Sequence, residues 1–291
     1  MKKPNFYILG APKCGTTTLT HWLRAHPEVF FSPIKEPFYF SDDLCLNQIH
    51  KIDTLEAYER LFRGARSFHA AVGEGSTAYL FSTTAVDNIL DYTPGARFIV
   101  MMRNPVDMAV SLHSQQLYLW NESVKDFMTA WNLQSERKAG MAVPPACMEP
   151  KVLLYKEWCC LGIQLERLFE KVKRQNVKVI FLEDLKFQPE MTYDSVLDFL
   201  RLSRIYPKNF AAYNVRKEIT RPLIHKFLRA GGSLKKRIVP RLRMGLTRLS
   251  TRRVKPEPVP EAVRQYLIGE FYSDVKRLET VLGKDLSHWL S

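Results

Sequence analysis

Between an apolar run and a helix start, "ILGAPKCGTTTL" (residues 8–19) sets Gly10 and Gly15 five positions apart, with Lys13 and Cys14 between them and Thr16, Thr17 and Thr18 after them. A strand, a tight turn and a helix N-terminus aim backbone N–H groups and the positive end of a helix dipole at one point, which makes a site for an anion. In a phosphate loop that serves nucleoside triphosphates, a lysine follows the second glycine and reaches the β and γ phosphates, and the next hydroxyl holds magnesium. Here Thr16 occupies the lysine position, and the cation stands inside the loop at Lys13. Glu183 and Asp184, after an apolar run at 177–182, are the nearest acidic pair for a magnesium site and suit it poorly. The loop therefore fits a shorter anionic head, and no metal is expected.

The elements that must position this loop alternate along the chain. Short β-rich runs at 6–10, 68–74, 96–102 and 177–183 read as strands, and amphipathic or capped stretches at 16–26, 83–91, 105–119, 156–175, 190–202 and 260–282 read as helices. Pro105 sits at a first-turn position. This order predicts an α/β fold: a P-loop-like parallel sheet with helices on both faces. Residues 134–151, mixing charge, Gly and Pro, read as a loop that could border a substrate.

Composition sets outer bounds. The chain has 291 residues, 46% of them hydrophobic, enough for a substantial core, and it is expected to form a single domain over 1–291. No stretch approaches a membrane span and no signal-peptide pattern opens the chain, so the expected location is cytoplasmic. Five cysteines form no metal-binding spacing and are expected as free thiols. The charge is concentrated: fourteen Lys or Arg between 216 and 255 face one acid, Glu218, and this net +13 equals that of the whole chain. Such a patch favours an anionic partner, and 213–256 is expected to form part of the nucleotide or acceptor side. Leu234, Ile238 and Leu242, spaced four apart among these cations, also suit a membrane surface. A nucleic-acid partner is not expected, because neither an aromatic-rich RNA motif nor a helix-turn-helix accompanies the basic segment.

With these features in hand, "APKCGTTTL" resembles the 5′-phosphosulfate loop, P-K-x-G-T-T, of sulfotransferases that use 3′-phosphoadenosine 5′-phosphosulfate (PAPS). "MMRNPVDMAVSLHSQ" (101–115) is similar to that family's 3′-phosphate segment, with Arg103 and Ser111 at the matching positions. "SPIKEPFYF" (32–40) resembles the K-E-x-x-F-F element of the heparan-type branch, in which the Glu is the proposed base, here Glu36. Runs at 155–169, 179–185 and 272–289 look like later blocks of bacterial sulfotransferase domains, so the resemblance covers nearly the whole chain. One departure is Gly75, in "GEGSTAYL", where relatives often carry a lysine.

The resemblance implies PAPS as donor, a hydroxyl acceptor on a small molecule, glycan or lipid-linked compound, and no metal. Donor contacts fall to Lys13, Cys14, Gly15, Thr16, Thr17, Thr18, Arg103 and Ser111, and catalysis to Lys13 and Glu36. Arg103 at a strand end can make a bidentate phosphate contact, and Ser111 lies about two turns into the following helix. Lys13 is placed to neutralise the oxygen bridging sulfur and phosphorus, which explains a cation within the loop. Residues 216–255 could meet an acidic glycan or a membrane surface. A P-loop kinase is the alternative within the same chemistry, and a nucleic-acid-binding protein a more distant one.

Overall fold

The computed structural model describes residues 2–46, 52–211 and 258–291, and the backbone of 217–219 and 251–253. Two compact units are present, 1–213 with 259–291, and 214–258. In the second, strands Lys217–Ile219 and Thr251–Arg253 pair antiparallel. The remainder of the basic segment, with the apolar positions 234, 238 and 242, lies outside the described residues.

The first unit is built on five parallel strands: β1 (Phe6–Gly10), β2 (Val29–Phe31), β3 (Ala71–Gly75), β4 (Arg97–Met102) and β5 (Val177–Phe181), in the order β2-β3-β1-β4-β5. Phe6 is level with Gly73 on one side and Arg97 on the other. β1 and β3 are buried along their whole length, as expected of strands covered on both faces. The chain leaves β1 in one direction to reach β2, then passes back across β1 to reach β4. Right-handed crossovers in opposite directions place helices on opposite faces. On one side lie α1 (Thr16–Arg24) and the second helix after β5, Pro189–Leu200, joined where Tyr193 donates to the Trp22 carbonyl at 3.3 Å. On the other lie α2 (Ala85–Tyr92), α3 (Pro105–Leu119), α4 (Tyr155–Cys159), α5 (Leu161–Lys171) and, last in the chain, α6 (Glu261–Leu282). Among the described residues no helix is long and apolar enough to cross a membrane.

Strands at 6–10 and 96–102 and the helix at 105–119 agree with the sequence reading to within a residue. Three differences have identifiable causes. β2 is only three residues long and carries too little pattern to be seen, yet it pairs with β3 from Val29–Ala71 to Phe31–Gly73. The third strand begins at Ala71, because residues 67–70 form a turn in which the Arg66 N–H donates to His69 Nδ1. The helix expected over 156–175 is two helices that break at Cys160. Asp274 of α6 accepts from the N–H groups of Gly162 at 2.8 Å and Ile163 at 3.0 Å, capping α5 from a distant part of the chain. Gly162 permits this approach, since a Cβ there would stand 2.3 Å from the Asp274 carbonyl oxygen.

The stretch 134–151, read as a loop, opens on a short helix, Gln134–Lys138, which is tied down by a fully buried ion pair, Arg137 with Glu122 at 2.7 Å. Glu122 also accepts from Tyr155 at 2.7 Å and from the N–H groups of Ser123 and Val124. Replacing Arg137 with Met leaves that carboxylate buried without its cation. We expect a loss of about 3–5 kcal/mol in chemical denaturation, against about 1 kcal/mol for Asp274→Ala, which removes a helix cap.

Candidate functional site

Three loops leave the carboxyl ends of adjacent strands β3, β1 and β4, where the strand order reverses and where open α/β sheets place their ligands. Backbone hydrogen bonds continue past the strands and fix these loops to one another. Ala11 N–H donates to the Met101 carbonyl at 2.7 Å, Ser76 N–H to Ile8 at 3.1 Å, Leu80 N–H to Leu9 at 2.9 Å and Glu36 N–H to Gly75 at 3.0 Å. The loop after β1, that of residues 32–40 and the start of α3 therefore share one edge.

In the loop after β1, Gly10 has φ +140° and a Cβ there would lie 2.6 Å from the Thr77 carbonyl oxygen. Gly15, at φ +88°, is the N-cap of α1, and its Cβ would strike Leu182 at 2.9 Å and Leu185 at 3.0 Å. Both glycines are thus required by close approach as well as by backbone conformation. No side chain caps α1 and no acid occupies its first turn, so its first N–H groups face the loop without a competing anion. Thr16 and Thr18 are buried and Thr17 is half-buried at this end. Cys14 is turned inward: its Sγ contacts the Pro12 carbonyl and Met108, and burial pushes its thiol up to about 12. Only its backbone N–H is left for an anion.

Lys13 and Glu36 both lie in the left-handed region, at φ +66° and +62°, and so does Phe38 at +55°. Non-glycine residues persist there when the surroundings over-determine them, often at functional sites. Around Glu36 those surroundings are explicit. Lys35 Nζ pairs with Glu36 Oε1, and the same oxygen accepts from Thr77 Oγ1 at 3.2 Å. Phe38 N–H donates to Ser76 Oγ at 3.1 Å, and Ser76 Oγ donates to Glu74 Oε2 at 2.9 Å. Phe38 and Phe40 are buried, and Tyr39 stacks on Tyr58 with ring centroids 4.7 Å apart, anchoring the loop in the core. On the solvent side, burial and then the charges of Arg24 and Lys35 hold His21 below the ordinary imidazole value.

Across the edge, Arg103 Nη1 donates to the Lys13 carbonyl at 3.4 Å. Asn104 caps α3 by accepting from Val106 N–H at 2.9 Å. Ser111 is half-buried about 12 Å along from Arg103 at the helical rise per residue. Arg103 is thus joined directly to the loop of Lys13, while Ser111 stands apart along the helix. Glu183, considered as a magnesium ligand, lies in the first turn of the helix Leu182–Phe187, whose Leu182 and Leu185 pack on Gly15, and its Oε2 is buried without a hydrogen-bond partner among the described residues. Among the described residues no group of three His, Cys, Asp or Glu side chains is placed to hold a metal.

The sequence-family model described as "Sulfotransferase domain" matches residues 3–218, well over half of the chain. The chain belongs to the sulfotransferase domain family. It is 32% identical over 169 residues to human carbohydrate sulfotransferase 15, covering 43% of this chain, and 26% identical over 110 residues to the membrane-associated sulfotransferase kil1 of Dictyostelium discoideum, covering 37%. The chain spans 29% and 22% of those two relatives' lengths. A solved sulfotransferase from Alicyclobacillus acidocaldarius is similar over 100% of both chains, with TM-score 0.75 and 26% identity. The sulfotransferase domain of the Synechococcus olefin synthase shares the fold alone, with TM-score 0.51 and 17% identity over 98% of this chain and 97% of that one.

The sequence reading did not find the role of Ser76 and Thr77, which hold the Glu36 loop, because no spacing rule links residue 36 to 77. Beneath them, Glu74 is fully buried, and desolvation raises its carboxyl to about 7 against the hydroxyls of Tyr79, Ser76 and Tyr58, with the charge of Glu36 adding to the rise. A carboxyl raised in the folded state favours folding below its unfolded value and loses that contribution as pH climbs through its folded value. Between about pH 4.5 and 7 the protein should lose on the order of 2–3 kcal/mol that Glu74→Gln does not lose. Denaturant titrations of both proteins at the two ends of that range measure the difference.

Proposed function

We propose that this chain transfers a sulfuryl group from PAPS to a hydroxyl, with a carbohydrate as the acceptor class. The observation that carries the reading is the uncapped, acid-free start of α1 behind two obligatory glycines, with a lysine inside the loop. Such a cradle suits the 5′-phosphosulfate end of the donor, held by the N–H groups of residues 14–17 and the hydroxyls of Thr16, Thr17 and Thr18; the Thr18 N–H donates to the Gly15 carbonyl. Arg103, tied to the Lys13 carbonyl, and Ser111 would take the 3′-phosphate.

In the reaction, the acceptor oxygen forms a bond to sulfur as the bond from sulfur to the bridging phosphate oxygen breaks. Adenosine 3′,5′-bisphosphate leaves. Negative charge grows on the bridging oxygen, where the Lys13 ammonium stabilises it. The acceptor proton passes to Glu36, whose carboxylate Thr77 and Lys35 orient. The step is an in-line displacement that depends on positioning and charge, and no metal is required by it.

A carbohydrate acceptor is supported by the partial match to carbohydrate sulfotransferase 15. The cations beside the Glu36 loop, Arg24 and Lys35, would favour an acidic glycan. Contact of residues 216–255 with glycan or membrane belongs to the same proposal.

Glu36→Gln should lower turnover of PAPS by about 10²–10⁴-fold, the range for a general base, while its affinity for adenosine 3′,5′-bisphosphate stays within about twofold of the parent, since the base acts on the acceptor. Lys13→Ala should lose turnover by about 10²–10³-fold, as for removal of one charge-stabilising group. Transfer of labelled sulfate to a panel of neutral and acidic oligosaccharides provides the assay. An active Glu36→Gln protein would remove that residue from the mechanism.

A further inference from the structure

Arg103 shares its carboxylate neighbour with a second arginine. Arg103 Nη2 lies 3.8 Å from Asp107 Oδ2, one turn along α3. The other oxygen, Oδ1, accepts from Arg264 Nη2 at 3.1 Å, and Arg264 comes from the beginning of α6, at the far end of the sequence. The three side chains are 19%, 36% and 26% exposed, so the carboxylate lies between two partly buried guanidinium groups. A separate bond, from Asn104 Nδ2 to the Trp289 carbonyl at 3.2 Å, fixes the last turn of the chain to the same end of α3.

Asp107 suits the first turn of a helix, where negative charge meets the positive dipole end. It does not suit a phosphate arriving at Arg103. A carboxylate beside that phosphate repels it, and a guanidinium engaged by the carboxylate must release it first. The distances divide the carboxylate unequally. Its contact with Arg264 is a hydrogen bond, and its contact with Arg103 is too long to be one.

We propose that Arg264 is a positioning residue for donor binding: it holds and neutralises Asp107, which leaves the Arg103 guanidinium to a phosphate. This rests on reading Arg103 as the 3′-phosphate contact. Without Arg264, Asp107 closes on Arg103 and sets an uncompensated negative charge beside the incoming phosphate. The C-terminal helix is then part of the donor site, although the loop that cradles the 5′ end lies near the N-terminus.

Calorimetric titration with adenosine 3′,5′-bisphosphate and with adenosine 5′-monophosphate, on the full chain and three variants, tests this. Arg264→Ala should weaken the bisphosphate about tenfold and the monophosphate less than about twofold, the scale of one charge-assisted contact. Adding Asp107→Asn to Arg264→Ala should restore bisphosphate affinity, because the charge that Arg264 neutralises is gone. Asp107→Asn alone should bind the bisphosphate at least as tightly as the parent. Helix docking alone would give a different result: Arg264→Ala would lose both nucleotides together, and Asp107→Asn would not rescue it. That outcome, or an Arg264→Ala protein that binds the bisphosphate as the parent does, overturns the proposal. A parent protein that does not distinguish the two nucleotides would instead overturn the reading of Arg103 beneath it, and the proposal with it.

Discussion

The backbone register of β3, β1 and β4 is the constraint on which everything else at this edge depends. The connections that follow β1, β3 and β2 still find carbonyls of neighbouring strands: Ala11 donates to Met101, Ser76 to Ile8, and Glu36, five residues past the end of β2, to Gly75. These bonds place the loop of Lys13, the loop of Glu36 and the start of α3 with one another before any side chain is considered. They also force the close approach at Gly10, where the Thr77 carbonyl oxygen leaves no room for a Cβ. Thr77 is thus under the loop after β1 through its backbone and on Glu36 through its hydroxyl.

A backbone so constrained leaves the side chains to correct the electrostatics. The anion cradle has no acid of its own in the first turn of α1. Two acids nearby are each answered by a partner: Glu36 by Lys35 and Thr77, Asp107 by Arg264 and, at longer range, Arg103. Glu74 is answered by hydroxyls alone, and its carboxyl is accordingly raised. Partnered acids at a site for a multiply charged nucleotide keep the local field positive while preserving hydrogen bonds that orient the loops.

Much of this was legible in the sequence where the signal is local. The glycine spacing of the loop, Lys13 within it and the helix opening at Pro105 were all visible in short motifs, and with them the α/β class. Long-range events were not. The break at Cys160 comes from Asp274, more than a hundred residues away, overriding an unbroken helical periodicity. β2 is too short for a pattern; the support of Glu36 by Thr77 follows only from the order of strands, and that of Asp107 by Arg264 from the packing of α6 on α3. Cys14 was legible as a loop residue, but its inward turn is decided by packing against Met108. The basic segment stood out by charge, yet charge alone does not say what it meets.

The central claim is that this edge holds a nucleotide by its 5′ anion and its 3′-phosphate and does so without metal. Calorimetric titration of adenosine 3′,5′-bisphosphate against ADP and ATP, each with and without magnesium, tests it most directly. The account predicts that the bisphosphate binds tightest and that magnesium leaves its affinity unchanged. Preference for ATP, dependent on magnesium, would contradict it and assign the loop to a kinase.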